Sequence, residues 1–213
     1  MQNVLTSPPE NLPIPLPRPL LIITEGVLDI ACLTCFSQIV HAVHPEFPDL
    51  QQLTSQGSVV FLPAGGGDLA AWTTRLAPLG CFQVFLFDRE QQPETDLRQR
   101  IVDQINERSG CRAALTRKRS LENYLHPTAI AATFGVTIEM TDEVPVAELV
   151  SRALDPSSNW TSLSQRQQQR LIYRAKRRLN LETSQHMTAE LLAERDPTGE
   201  VVGWFRTIAS LLP

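Results

Sequence analysis

Four short apolar runs, at residues 20–24, 58–62, 82–87 and 111–115, constrain the fold of this chain more than any other feature. Each has strand length, is bounded by turn signals and lacks polar alternation. Continuous apolar strands of this kind are buried on both faces, which is the habit of parallel sheets. Between them lie stretches with helical spacing, over about 26–43, 67–79 and 94–107, the last with Leu97, Ile101 and Ile105 on one face. The β-α-β-α-β-α-β order predicts an α/β fold: a mostly parallel four-stranded, Rossmann-like sheet flanked by helices. Right-handed crossovers would put its sites at the carboxyl ends of the strands.

After residue 115 the pattern turns purely helical, with segments near 122–134, 145–154, 164–180, 188–195 and 199–212. Three parts are expected. Residues 1–19 hold Pro8, Pro9, Pro13, Pro15, Pro17 and Pro19 and read as an extended, polyproline-like lead-in. Residues 20–135 form the α/β domain, and 136–213 a helical C-terminal extension packed on it, with a hinge in the Pro/Ser/Asn cluster at 155–159. No internal repeat is present.

With 213 residues, 42% of them hydrophobic, the chain can bury one full core and a helical annex. Its net charge of -4 argues against coating nucleic acid by bulk charge, so any such contact is local. No apolar run reaches the ~18 to 20 residues that span a bilayer, and the lead-in lacks the layout of a signal peptide. Of the four cysteines only Cys32 and Cys35 form a C-x-x-C pair, inside a helical pattern where small buried cysteines are common. Neither a zinc ribbon nor a secreted disulfide framework fits, and a reducing cytoplasm is expected. His41, His44, His126 and His186 have no ligand-like spacing.

The acidic residues carry the functional signal. Glu25 directly follows the first apolar run, and Asp29 lies four residues on, one helical turn along the same face. The third run leads straight into Asp88-Arg89-Glu90, where an extended chain would send both acidic side chains to one side. If the first and third strands are neighbours, two carboxylate pairs meet in one crevice. Crowded carboxylates raise one another's pKa unless a cation is present, and Mg²⁺ or Mn²⁺, as one ion or two, suits such oxygen donors. Each acid alone would more often cap the following helix.

Three motifs in this order resemble the Toprim domain of topoisomerases, primases and the overcoming-lysogenization-defect (OLD) nucleases. Ile22-Ile23-Thr24-Glu25-Gly26-Val27-Leu28-Asp29 looks like its strand followed by E-G-x-x-D. Pro63-Ala64-Gly65-Gly66-Gly67 resembles its glycine turn, and Phe87-Asp88-Arg89-Glu90 its D-x-D, with glutamate in the last place. Arg117-Lys118-Arg119-Ser120-Leu121-Glu122-Asn123-Tyr124-Leu125 is similar to the basic segment and E-N-Y-L of the OLD type. The likeness covers about residues 20–127 well, and Lys176 and residues 196–200 more loosely. It implies that Glu25, Asp29, Asp88, Glu90 and Glu122 are metal ligands, Glu25 also catalytic, and that Lys176 or Lys118 steadies the scissile phosphate. For Glu122 the residues alone equally allow an exposed acid at a helix start.

From Arg166 a helical pattern repeats arginine at Arg170, Arg174 and Arg178, and no acidic residue lies between Ser164 and Leu181 to neutralise them. That stripe, extended by Arg117 and Arg119, suits phosphate oxygens. Trp160, Tyr173 and Trp204 read as packing residues rather than base-stacking platforms. The expected function is a metal-dependent endonuclease cleaving DNA, in phage or mobile-element defence as the resemblance implies. Two alternatives stand beside it. One is a non-catalytic Toprim-type module working with a separate ATPase or helicase, since no G-x-x-x-x-G-K-[ST] occurs in the sequence. The other is an RNA-processing nuclease. The oligomeric state is left open.

Overall fold

A computed structural model describes residues 18–65, 69–155 and 160–212. The four apolar runs become strands β1 (Leu20–Thr24), β2 (Val59–Pro63), β3 (Gln83–Phe87) and β4 (Cys111–Leu115). All pair in parallel, in the order β2-β1-β3-β4. The central strands β1 and β3 are buried at every position, whereas the edge strands β2 and β4 are partly exposed. The chain leaves β1 for β2 on one side and returns to β3 on the other, so a topological switch point lies between β1 and β3. Their register, Ile22 beside Val84 and Ile23 beside Phe85, brings the residues after the two strands out side by side.

The described residues also form helices α1 (Val27–Val43), α2 (Leu50–Ser55), α3 (Leu69–Leu76), α4 (Glu94–Asn106), α5 (Pro127–Phe134), α6 (Val146–Leu154), α7 (Gln165–Leu181), α8 (Ala189–Arg195) and α9 (Glu200–Leu211). Two of these depart from expectation. Helix α2 has no counterpart in the sequence reading, although Asp49 caps it by accepting from the Gln51 and Gln52 amides. The single helix expected over 122–134 is divided into a 3₁₀ turn (Leu121–Tyr124) and α5. Pro127 explains the break, because it forces His126 into extended backbone and can only open a helix. Most of the proline lead-in, the glycines after Gly65 and the core of the expected hinge lie outside the described residues.

Side-chain alternation along β1 and β3 feeds two cores. Leu20, Ile22, Val84 and Leu86 face α1, α5 and the C-terminal helices, joining Leu33, Phe36, Ile130, Leu179 and Phe205 in one cluster. Leu21, Ile23, Phe85 and Phe87 face α3 and α4, meeting Leu76, Val102 and Ile105. The C-terminal helices thus share the core of the sheet. Glu200 at the start of α9 accepts from the Tyr124 hydroxyl and the Arg117 amide, while Tyr124 packs edge-on against Trp204, 5.2 Å between centroids. No helix among the described residues is long and apolar enough to cross a membrane.

Candidate functional site

Glu25 and Asp88 emerge at the carboxyl ends of the two central strands, and the Asp88 amide donates to Glu25 Oε1 at 2.8 Å. The condition set by the sequence, that the first and third strands be neighbours, is met. Asp29 stands in the first turn of α1 and is 3% exposed. Its Oδ2 accepts from the Gly26 amide at 2.7 Å, the helix-capping role any acid in that place could play. Its Oδ1 is buried with no hydrogen-bond partner, which capping leaves unexplained.

Glu122 joins the cluster from the 3₁₀ turn after β4, and it is no exposed helix-start acid: it is 3% exposed. Ser120 Oγ donates to its Oε2 and Asn180 Nδ2 to its Oε1, both at 2.7 Å. Lys176, one turn before Asn180 on α7, extends Nζ to 3.3 Å from Glu122 Oε1 and 3.6 Å from Asp29 Oδ1. The long basic helix therefore contributes its lysine to the carboxylates. Lys118 goes elsewhere, pairing with Asp142 and lying 5.5 Å over the Tyr124 ring.

Glu90 is placed apart from this group. The extended chain stops at Phe87, Glu90 takes a left-handed backbone with φ of 58°, and its carboxylate sits 3.5 Å from Arg119 Nε. Alternation could not carry Glu90 to the side of Asp88 once the strand had ended. Arg119 is thereby occupied, and the Arg117 side chain is exposed.

The charges explain the electrostatics. Four carboxyl groups, those of Glu25, Asp29, Asp88 and Glu122, meet two cations, Arg98 and Lys176, so the acids outnumber the cations and burial favours their protonated forms. Burial pushes Asp29 up to about 6, with Glu122 and Glu25 adding repulsion against the pull of Lys176 and the Gly26 amide. Burial, then Glu122 and Glu25, raise Asp88 well above its ordinary value, although its Oδ1 accepts from the Leu121 amide at 3.0 Å. Burial would also raise Glu122, but Lys176, Asn180 and Ser120 hold it below its ordinary value. Burial alone would lower Lys176; Glu122, Asp29 and Asp88 override it and raise the ammonium. Cys32, one turn after Asp29, is buried beside these carboxylates, and both effects raise its thiol. Cys35 donates to the Ser184 carbonyl, and all four cysteines are free.

Arg98 has no precedent in the sequence reading. From α4 it grips both Glu25 carboxylate oxygens and donates to the Asp88 carbonyl at 2.6 Å. Its guanidinium ties the ends of β1 and β3 together while neutralising Glu25. Arg98→Gln leaves Glu25 without its cation, and the expected loss is about 1–3 kcal/mol. Urea unfolding in EDTA should show it as a lower midpoint at unchanged slope.

Hard oxygen donors, an Asp29 oxygen that accepts no hydrogen bond and the surplus of carboxyl groups over cations all fit a divalent cation. Among the described residues, however, no three His, Cys, Asp or Glu side chains are disposed to hold an ion in common. Lys176 and Arg98 occupy the carboxylates instead, so an ion would compete with them for Glu122, Asp29 and Glu25.

Helix α7 exposes Arg166, Arg170, Arg174 and Arg177. Arg178, expected among them, is structural: it pairs with Glu182, donates to the Thr133 carbonyl and lies 4.4 Å over the Phe134 ring. Tyr173 is not a packing residue, being 59% exposed.

Fold and site define a class: an α/β protein with a buried carboxylate and lysine cluster at the switch point of a parallel sheet. No protein-family model matches the chain, and no curated protein matches it. Among solved structures, it is similar to the C-terminal region of the OLD protein of Xanthomonas campestris pv. campestris. For the form phased with mercury the identity is 15% over 93% of this chain and 98% of that one, with a TM-score of 0.47. For the form phased with platinum the values are 14%, 90%, 94% and 0.46. The likeness concerns the fold alone.

Proposed function

We propose that the protein is a divalent-metal-dependent endonuclease that hydrolyses DNA phosphodiester bonds. Asp29, Asp88, Glu25 and Glu122 would hold Mg²⁺ or Mn²⁺, and Lys176 would face the scissile phosphate. The observation that carries this reading is the pair of buried acids, Asp29 and Asp88, in a cluster where four carboxyl groups meet two cations, Arg98 and Lys176. A fold retains such an arrangement at a cost in stability, which points to a site rather than a scaffold. When bound, the metal would supply an activated water and shield charge developing on phosphate.

The chain's own groups have separable tasks. Ser120 and Asn180 orient Glu122, and Arg98 orients Glu25. Lys176, with a third of its side chain exposed, is the cation of the cluster that a phosphate can reach from solvent. The exposed arginines of α7 extend that positive edge toward the polynucleotide.

Supercoiled plasmid incubated with protein and Mn²⁺ or Mg²⁺ should be nicked, and EDTA should stop the reaction. Structured RNA digested in parallel separates the RNA-processing alternative. Nicking by Asp88→Ala at the parent's rate would show that the chemistry lies elsewhere.

A second reading draws on the absence of a preformed three-donor group among the described residues. In a non-catalytic module acting with a separate ATPase or helicase, Lys176 and Arg98 would be permanent partners of the carboxylates. That protein would bind no Mn²⁺ at millimolar concentration and would nick nothing.

A further inference from the structure

Tyr173 stands on the exposed side of α7, with 59% of its surface open to solvent. The buried side of the same helix is built from Ala175 and Leu179, with Ile172 partly buried beside them. Around the tyrosine, Arg166, Gln169, Arg170 and Arg174 line a shallow, open hollow. Arginine ion pairs among the described residues are made by Arg89, Arg98, Arg119, Arg152, Arg178 and Arg195, and by none of Arg166, Arg170, Arg174 and Arg177. A large exposed ring amid unneutralised guanidinium groups is the composition of a surface that stacks bases while holding phosphates.

The ring narrows the class of partner. In a duplex the base faces are stacked on one another, so arginines find phosphates but Tyr173 finds no face to cover. An acidic peptide would satisfy the arginines and leave the ring idle as well. An unpaired strand uses both. Position adds a second constraint: Tyr173 is three residues before Lys176, so their Cβ atoms are ~5–6 Å apart on one helix surface. A base on Tyr173 brings an adjoining phosphate to the lysine that reaches Asp29 and Glu122.

We infer that this face of α7 binds unpaired polynucleotide, with a base stacked on Tyr173 and flanking phosphates on Arg166, Arg170 and Arg174, and so presents single-stranded segments to the carboxylate site. The inference deepens the nuclease reading by naming its substrate class and rests on that reading for its purpose. Its test does not depend on cleavage.

Fluorescence anisotropy in EDTA, at fixed salt, compares a labelled oligothymidine, an oligouridine of equal length and a blunt duplex. A single strand should bind about ten-fold or more tighter than the duplex. Tyr173→Ala should weaken that binding about ten-fold and leave the duplex unchanged, while Tyr173→Phe retains it. Arg170→Ala with Arg174→Ala should weaken every binding and flatten its salt dependence. Preference for either oligomer, or for neither, sustains the inference and shows whether the sugar matters. Undiminished single-strand binding by Tyr173→Ala, or tighter binding of the duplex, overturns it. A plasmid that stays uncut in Mn²⁺ while this binding persists counts against the nuclease reading alone.

Discussion

Replacing Asp88 by asparagine is expected to abolish metal-dependent cleavage and to make the protein more stable at the same time. Residues that merely support metal ligands commonly contribute ten- to a hundred-fold, so loss of a direct donor should cost at least about a hundred-fold in nicking rate. The gain in stability has a separate origin. The asparagine side chain keeps an oxygen to accept from the Leu121 amide but removes an acid whose ionisation burial, Glu122 and Glu25 oppose in the folded state. About 2 kcal/mol is expected, or about 4–8 °C in Tm for a chain of this size, measured in EDTA at pH 8. The sign follows from the raised Asp88 pKa: the folded state holds the proton more tightly, so ionised Asp88 opposes folding as pH rises above the ordinary carboxylate range. Near pH 3 and below, where the carboxyl is largely protonated in both states, the advantage of the Asp88→Asn variant over the parent should shrink away. A variant that melts lower at pH 8 would mean that the cluster is a structural network, not a strained site.

The second large effect separates the two lysines. Lys176→Met leaves buried Glu122 and Asp29 without their shared cation, which should lower stability by about 2–3 kcal/mol, below the full value for a wholly buried pair because the lysine is a third exposed. Cleavage should be lost as well. Added Mn²⁺ should recover part of the Tm, since a divalent ion restores positive charge to the same carboxylates. Lys118→Met removes the Asp142 pair and the contact with Tyr124, both outside the cluster, and should cost about 1 kcal/mol while cleavage continues. Thermal melts with and without Mn²⁺, beside the plasmid assay, decide it; equal loss of cleavage in both variants would contradict the assignment of Lys176.

The backbone plan is legible because the strand runs are apolar and contiguous; the positions of Glu25 and Asp88 follow from strand ends, and that of Asp29 from the helical turn after Glu25. What the sequence could not reveal depends on geometry beyond its local period. The left-handed turn at Glu90 leaves no trace in Asp-Arg-Glu, so alternation alone does not place its carboxylate. Arg98 lies beside Leu97 on a helix whose apolar face is obvious, and such an arginine looks like any solvated charge until α4 is laid across the strand ends. Lys176 sat within a basic run, and its separation from the arginines required knowing which side of α7 meets Glu122. The same rotation decided Arg178, turned back to Glu182 and Phe134, and Tyr173, turned outward. The signal for α2 was present in Asp49 followed by Leu50-Gln51-Gln52-Leu53, but six residues are too few for periodicity to show.

Calorimetric titration of the full chain with Mn²⁺ tests the central claim most directly. The account predicts saturable binding at millimolar metal or below by the parent, lost when Asp29 and Asp88 are both replaced by asparagine in a protein that still melts cooperatively. An absence of binding by the parent, or binding undiminished in the double variant, would contradict it.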